Sequence, residues 1–248
     1  MKILVCISNV PDTTSKINFT QNNQQLDASG VQFVINPNDE FGLTKALMLK
    51  EKHGAQVTVI HVGGAETEPT LRKALAIGAD DAIRINTPPV DGFFVASQIA
   101  KVASKNQYDL IITGKESLDY NGGMVGGMIA ALLDYPFVDK CISLEIKDNS
   151  ADLEQEIEGG KTLLSAKLPL VIAGQKGLVH EKDLRIPNMR SIMTARTKPL
   201  SVLEGQPLEN QTQIISFEKP SAKKPVTMIP ADDLDQLVDL LHNEAKVI

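Results

Sequence analysis

The chain has 248 residues, 42% hydrophobic and 23% charged, enough for one large or two small domains with a sizeable core. A net charge of -6 excludes nonspecific nucleic-acid binding, which needs a basic face, and 4% aromatic content with no Trp leaves few platforms for stacked bases. The two cysteines, Cys6 and Cys141, lie far apart and offer neither a disulfide framework nor zinc-ligand spacing.

Lys2–Ile7 is a strand run rich in β-branched residues, in which Cys6 reads as a buried thiol. The apolar stretch there is too short for a signal segment, and no later run reaches transmembrane length. The expectation is a cytoplasmic protein. Ser8 to Gly30 is polar and reads as loop or hairpin. Val31–Ile35 is a second strand, closed by Asn36-Pro37-Asn38-Asp39, in which Asn38 or Asp39 can cap a helix over Phe41–Lys52. Leu43, Ala46, Leu47 and Leu49 form its apolar stripe, and His53-Gly54 ends it. A strand at Gln56–Val62 meets Gly63-Gly64; a helix over Thr67–Ile77 stops at Gly78; a strand at Asp81–Ile85, a helix over Gly92–Lys105 and a strand at Tyr108–Thr113 follow.

That last strand opens the most informative stretch, Tyr108 to Leu133. It breaks at Gly114, crosses the polar loop Lys115 to Gly123, and enters an apolar helix near Met124. A strand, a glycine-rich loop and a helix N-terminus together hold an anion, because backbone N–H groups are free there and the helix dipole favours negative charge. The loop has no Ser or Thr after Gly-Lys and no G-x-G-x-x-G, so it is neither common phosphate motif. An anion site and a plain glycine-rich turn both remain open. Ile7-Ser8-Asn9, Val62-Gly63-Gly64 and Thr113-Gly114-Lys115 all sit at strand C-termini, where α/β sheets gather ligands.

After Pro136 the pattern changes. Val138–Ile146, Asp152–Ile157 and Lys161–Ala166 read as antiparallel strands joined by turns at Asp148-Asn149-Ser150 and Gly159-Gly160. Leu168–Ala173 is a continuous apolar strand returning to the main sheet. Leu200–Leu203 is a short strand. Gly205 to Pro230 lacks periodicity and reads as an extended arm, ending in a helix over Leu234 to Ala245 with a stripe of Leu234, Leu237, Val238 and Leu241. The fold class is therefore α/β: a doubly wound, Rossmann-like parallel sheet with an antiparallel insertion and a C-terminal arm. The division is residues 1–204 as the domain and 205–248 as an arm that packs on its own domain or on a partner.

The four histidines have no metal spacing, His61 reads as a core histidine, and no nucleophile–base pair is visible. Asp119 fits a turn or a ligand role, and Lys115 a phosphate contact or solvent. Arg185 to Arg196 combines three arginines with Met189, Ile192 and Met193, a composition suited to docking or to a helix turn with core methionines.

Six segments in order resemble electron transfer flavoprotein β subunits: KILVCISNVPD, INPNDEFGLTKAL, TLRKALAIGADDAIRI, YDLIITGKESLDYNGGMVG, EIEGGKTLLSAKLPLVIAG and LRIPNMRSIMTARTKPLSVLE. The resemblance implies a sheet of the adenine-nucleotide-binding kind and an electron carrier rather than an enzyme, paired with an α subunit that holds most of one FAD. Electrons arrive from acyl-CoA or related dehydrogenases and leave to a membrane quinone oxidoreductase. It also implies structural AMP, bound by Cys6, Asn36, Pro37, Asn38, Asp39, Val62, Gly114, Lys115, Glu116, Ser117, Leu118, Asp119, Tyr120, Asn121, Gly122, Gly123, Met124 and Val125. Pro11-Asp12-Thr13 approaches the flavin by the same resemblance. Pro187, Asn188, Met189, Arg190, Ser191, Ile192, Met193, Thr194 and Ala195 correspond to the loop that docks dehydrogenases. Gly123-Met124-Val125 stands where many members carry Asn-Gln-Thr or Ala-Gln-Val, which leaves phosphate contacts there to the backbone. Bifurcating relatives hold a second FAD in place of AMP. A stand-alone nucleotide-binding regulator is the reading from another class.

Overall fold

The structure is a computed structural model that describes residues 1–222 and 225–248. Lys223 and Lys224, within the segment read as an arm, lie outside the described residues. The first half alternates strand and helix: β1 (Lys2–Cys6), β2 (Asn9–Pro11), the short hairpin β3 (Phe19–Thr20) and β4 (Gln25–Leu26), β5 (Phe33–Ile35), α1 (Pro37–His53), β6 (Gln56–Val62), α2 (Glu68–Ile77), β7 (Asp81–Asn86), α3 (Gly92–Asn106), β8 (Leu110–Gly114) and α4 (Val125–Leu133). The second half holds β9 (Phe137–Lys147), β10 (Ser150–Ile157), β11 (Gly160–Lys167), β12 (Leu170–Gly174), α5 (Met189–Ala195), β13 (Leu200–Glu204) and α6 (Leu234–Asp239).

Among the described residues, nine strands form the main sheet in the order β11-β10-β9-β12-β8-β1-β6-β7-β13. Every pairing from β9 to β13 is parallel, whereas β10 is antiparallel to both β9 and β11. The antiparallel insertion thus extends the main sheet, with β9 serving both parts. Buried apolar residues cover both faces, as parallel sheets require. Val5, Val57, Ile112 and Leu43 lie in one cluster, and Leu4, Ile60, Ile111, Phe94 and Ile129 in the other.

Local chemistry sets the helix ends. Asp91 caps α3 by accepting the Phe94 N–H at 2.7 Å. Gly54 closes α1 in the left-handed region at φ 66°, its N–H bonded to the Lys50 carbonyl. α1 begins at Pro37, one turn before the expected Phe41. Proline has no N–H to lose at a helix start and its φ is already helical, so it opens the helix and draws Asp39 into the first turn. Asn36 is the cap position but makes no side-chain capping bond; its amide is used elsewhere. The polar stretch from Ser8 contains β2, which pairs with β5, and the β3–β4 hairpin. The terminal helix is shorter in its α form than expected: Leu240–Glu244 continues α6 as a π-helical turn. Its stripe residues Leu234, Leu237 and Val238 are exposed.

Candidate functional site

β8, β1 and β6 are consecutive in the sheet, so the loops leaving their C-terminal ends share one rim. The first turn of α1 stands at this rim and ties the loops together. Asp39 is 2% exposed, and its carboxylate accepts the Ser8 N–H at 2.6 Å and Asn36 Nδ2 at 3.1 Å. Burial lifts its pKa to about 7, against hydrogen bonds that act to lower it. Asn36 Nδ2 also donates to the Glu116 carbonyl at 2.8 Å, and Asn38 Nδ2 donates to the same oxygen at 3.1 Å. In return Asn36 Oδ1 accepts the Leu118 N–H at 3.3 Å. The glycine-rich loop after β8 is therefore fastened to the start of α1 by Asn36 and Asn38, while Asp39 holds Asn36 and the Ser8 backbone.

A Cβ on Gly114 would collide with the Asp39 carboxylate, and a Cβ on Gly123 would lie 3.0 Å from the Lys115 carbonyl oxygen. Gly122 has more room, the nearest atom to its notional Cβ being Ser117 Oγ at 3.8 Å. Asn121 is the loop residue in the left-handed region, at φ 50°. Beyond it, the N–H groups of Gly123, Met124, Val125 and Gly126 have no acceptor among the described residues and open α4. Lys115 Nζ pairs with Glu116 Oε1 at 3.3 Å. Asp119 Oδ1 accepts the Tyr120 N–H at 2.9 Å, the local turn bond. Met124 reaches across to α3, where a Cβ on Gly92 would come within 2.7 Å of its Sδ.

This donor set fits an anionic group held by backbone. Gly123, Met124 and Val125 bring no polar side chain, whereas the helix N-terminus brings aligned N–H groups. Cys6 and Val62 are buried beneath the rim. Burial, and secondarily the Asp39 charge, pushes the Cys6 thiol far up, so it is no nucleophile. Among the described residues no cluster of three metal-ligating side chains occurs.

Two residues that sequence reasoning did not place at the site brace its third loop. His61 Nδ1 lies 2.7 Å from the Ile7 carbonyl oxygen, and the ring is buried with its pKa lowered by desolvation. Since a carbonyl only accepts, Nδ1 carries the proton and Nε2 faces Gly63 as an unpartnered acceptor. Arg84, the register partner of His61 on β7, donates through Nη1 to the Gly63 carbonyl at 3.2 Å and to Asn86 Oδ1 at 2.7 Å. The alternation of β7 gave no sign that Arg84 is buried; the cause is β13, which pairs on its outer side and makes β7 an interior strand.

The expected docking residues lie elsewhere. α5 packs on α2 through buried Ala195, and Arg72 Nη1 clamps its end by donating to the Ala195 carbonyl at 3.0 Å and the Lys198 carbonyl at 2.9 Å. Asn188 caps it through the Ser191 N–H at 2.9 Å. Met189 and Met193 are 76% and 66% exposed, and Ile186 ahead of them is 88% exposed. Separately, a cavity of about 260 Å³ lies between Pro11-Asp12-Thr13, Phe33 and Leu118-Asp119-Tyr120, with Phe217 on its wall.

The family model for the electron transfer flavoprotein domain matches residues 24–208. An electron transfer flavoprotein subunit beta of Bacillus subtilis is 34% identical, with both chains covered in full. The mitochondrial subunit beta of Arabidopsis thaliana is 32% identical over the whole of both chains, and that of Homo sapiens is 31% identical over 89% of each. The chain belongs to the electron transfer flavoprotein beta-subunit family. Membership gives it a role in electron transfer with a flavin, as a carrier subunit rather than an enzyme. Among the described residues no helix is long and apolar enough to cross a membrane.

Proposed function

We propose that the chain is the β subunit of a heterodimeric carrier that takes electrons from acyl-CoA or related dehydrogenases and passes them to a membrane quinone oxidoreductase, with AMP in the crevice as a structural ligand. The observation that supports the nucleotide is the tethered loop: Asn36, Asn38 and Asp39 order its start, and its end offers free N–H groups at the N-terminus of α4. FAD, held mainly by the α subunit, supplies the one- and two-electron chemistry when bound. The residues of this chain hold and position. The N–H groups opening α4 would hold a phosphate and so join the β8 loop to the rim, and the rim reaches β2 through Ser8 and Asn9. β2 ends at Pro11 and leads into Asp12-Thr13, where Asp12 Oδ1 accepts the Thr14 N–H at 2.8 Å and fixes the turn toward the flavin-bearing partner. Packed on α2, α5 presents its exposed methionines to the dehydrogenase, an apolar and adaptable contact. Stripping AMP from the heterodimer lowers its melting temperature and reassembly yield while the flavin still cycles; equal melting temperatures with and without AMP contradict the reading.

A second reading, a bifurcating carrier with FAD in the same crevice, draws support from the cavity beside Leu118-Asp119-Tyr120, which adjoins the cradle loop. Two flavins per heterodimer, counted by absorbance after acid release, establish that reading in place of AMP.

A further inference from the structure

The first part of the C-terminal arm runs along α3 to that helix's N-terminus and is fastened at both ends of that run. It leaves β13 beside α3, where buried Gln98 makes two bonds to one residue: Nε2 donates to the Gln206 carbonyl at 2.7 Å and Oε1 accepts the Gln206 N–H at 2.9 Å. At the N-terminus of α3 the Asp91 carboxylate caps the helix with one oxygen, while the other accepts the N–H groups of Gln211 at 2.9 Å and Thr212 at 3.0 Å. The same helix end receives Met124 from the cradle loop. From there the chain crosses to the β3–β4 hairpin. Residues 209–216 of this crossing are exposed, and Phe217 is the first to be partly covered again.

Phe217 stacks on Phe19 with ring centroids 4.8 Å apart and planes 6° apart, and it meets Tyr120 of the cradle loop at 6.4 Å. Its N–H donates to the Asn23 carbonyl at 2.7 Å, and Lys219 Nζ reaches Asn18 Oδ1 at 2.7 Å. The hairpin turn that presents Asn23 holds Gln21, Asn22 and Asn23 at positive φ, a conformation that asparagine tolerates. Such a tight turn, far from any core, has as its partner the aromatic ring of the arm. The ring joins the arm to both the hairpin and the cradle loop.

We propose that residues 205–219 form a strap across the crevice, with Phe217 as its latch between Phe19 and Tyr120, so that nucleotide enters or leaves only when the latch lifts. The proposal rests on the crevice holding AMP. The strap makes no bond to the ligand; it holds the cradle loop at Tyr120 in place and covers the side by which a nucleotide departs. Beyond it, residues 220–222 and 225–248 carry the exposed apolar residues Val226, Met228, Leu234 and Val238, so a partner that draws on the arm also acts on the latch. Retention of nucleotide and seating of the arm are then linked in both directions.

The test uses the purified heterodimer loaded with radiolabelled AMP and chased with excess unlabelled AMP. Phe217→Ala and Phe19→Ala each remove one ring of the stack, and neither residue belongs to the cradle. Both release AMP about tenfold faster than wild type, while Phe217→Tyr, which keeps the stack, releases it at the wild-type rate. FAD content and melting temperature of the AMP-free proteins show whether the variants are folded. Wild type that retains AMP and variants that release it at the same rate overturn the latch alone. Wild type that holds no AMP overturns the nucleotide reading and the strap with it.

Discussion

The cradle loop and the docking segment are both polar stretches that follow a structured element, yet they are built in opposite ways. The cradle loop is bound inward. Asp39 is 2% exposed, and the Asn36 amide spends its donors and acceptor on Asp39 and the loop backbone. The docking segment is bound only at its ends, by Asn188 and Arg72, and leaves Met189 and Met193 in solvent. The difference matches the two roles proposed for them. A backbone anion site works only if its N–H groups keep their positions, whereas a surface that meets several partners gains from side chains that adapt.

Gly114→Ala breaks the inward-bound half most severely. The added methyl group meets the Asp39 carboxylate, which Ser8 and Asn36 hold from the other sides. The expected outcome is a destabilisation of about 1–3 kcal/mol in denaturant unfolding and loss of co-purifying nucleotide. A wild-type nucleotide content in this variant shows that the rim is plastic. Asn36→Ala, which removes the tethers to the Glu116 carbonyl and the Leu118 N–H, comes next at about 1–2 kcal/mol, read as a lower denaturation midpoint.

The pH response sharpens the same contrast. The Asp39 pKa is raised by burial to about 7 in the folded chain, so folding takes up a proton. Its contribution to stability is complete below the unfolded carboxylate range and is lost as pH rises from about 4 through about 7. Stability of the nucleotide-free chain should fall across that window by an amount on the order of a few kcal/mol, and Asp39→Asn should flatten the slope whatever it does to the absolute stability. An unchanged slope in Asp39→Asn assigns the titration to another group. The outward-facing half responds least in stability. Met189→Ala should leave unfolding and FAD content as in wild type and slow electron transfer from the dehydrogenase about tenfold, measured by stopped-flow flavin reduction.

What the sequence made legible follows the same division. β6 is legible residue for residue, because QVTVIHV is continuous, β-branched and bounded by breakers. The turns of the antiparallel insertion were legible from Asp148 and Gly159, which do adopt positive φ at 51° and 80°. The cradle was visible as a strand, a glycine-rich loop and a helix start. Its fastening was not, because the sequence offers Asn38 or Asp39 as the helix cap, whereas α1 starts at Pro37 and leaves the Asn36 amide at the cap position to reach the Glu116 carbonyl. Arg84 was hidden because one arginine in a short strand points to solvent unless a later strand covers it, and β13 arrives over a hundred residues afterwards. The strap carries no hydrophobic period. It is held by single contacts, Gln98 to Gln206 and Phe19 to Phe217, that only the folded chain brings together.

The central claim is that the crevice holds one AMP for structural ends. Co-expression with the α subunit, gentle purification, acid release and chromatographic counting of nucleotides test it most directly. The expected result is one AMP and one FAD per heterodimer, with the AMP lost in Gly114→Ala. Two FAD and no AMP, or FAD alone, would contradict it.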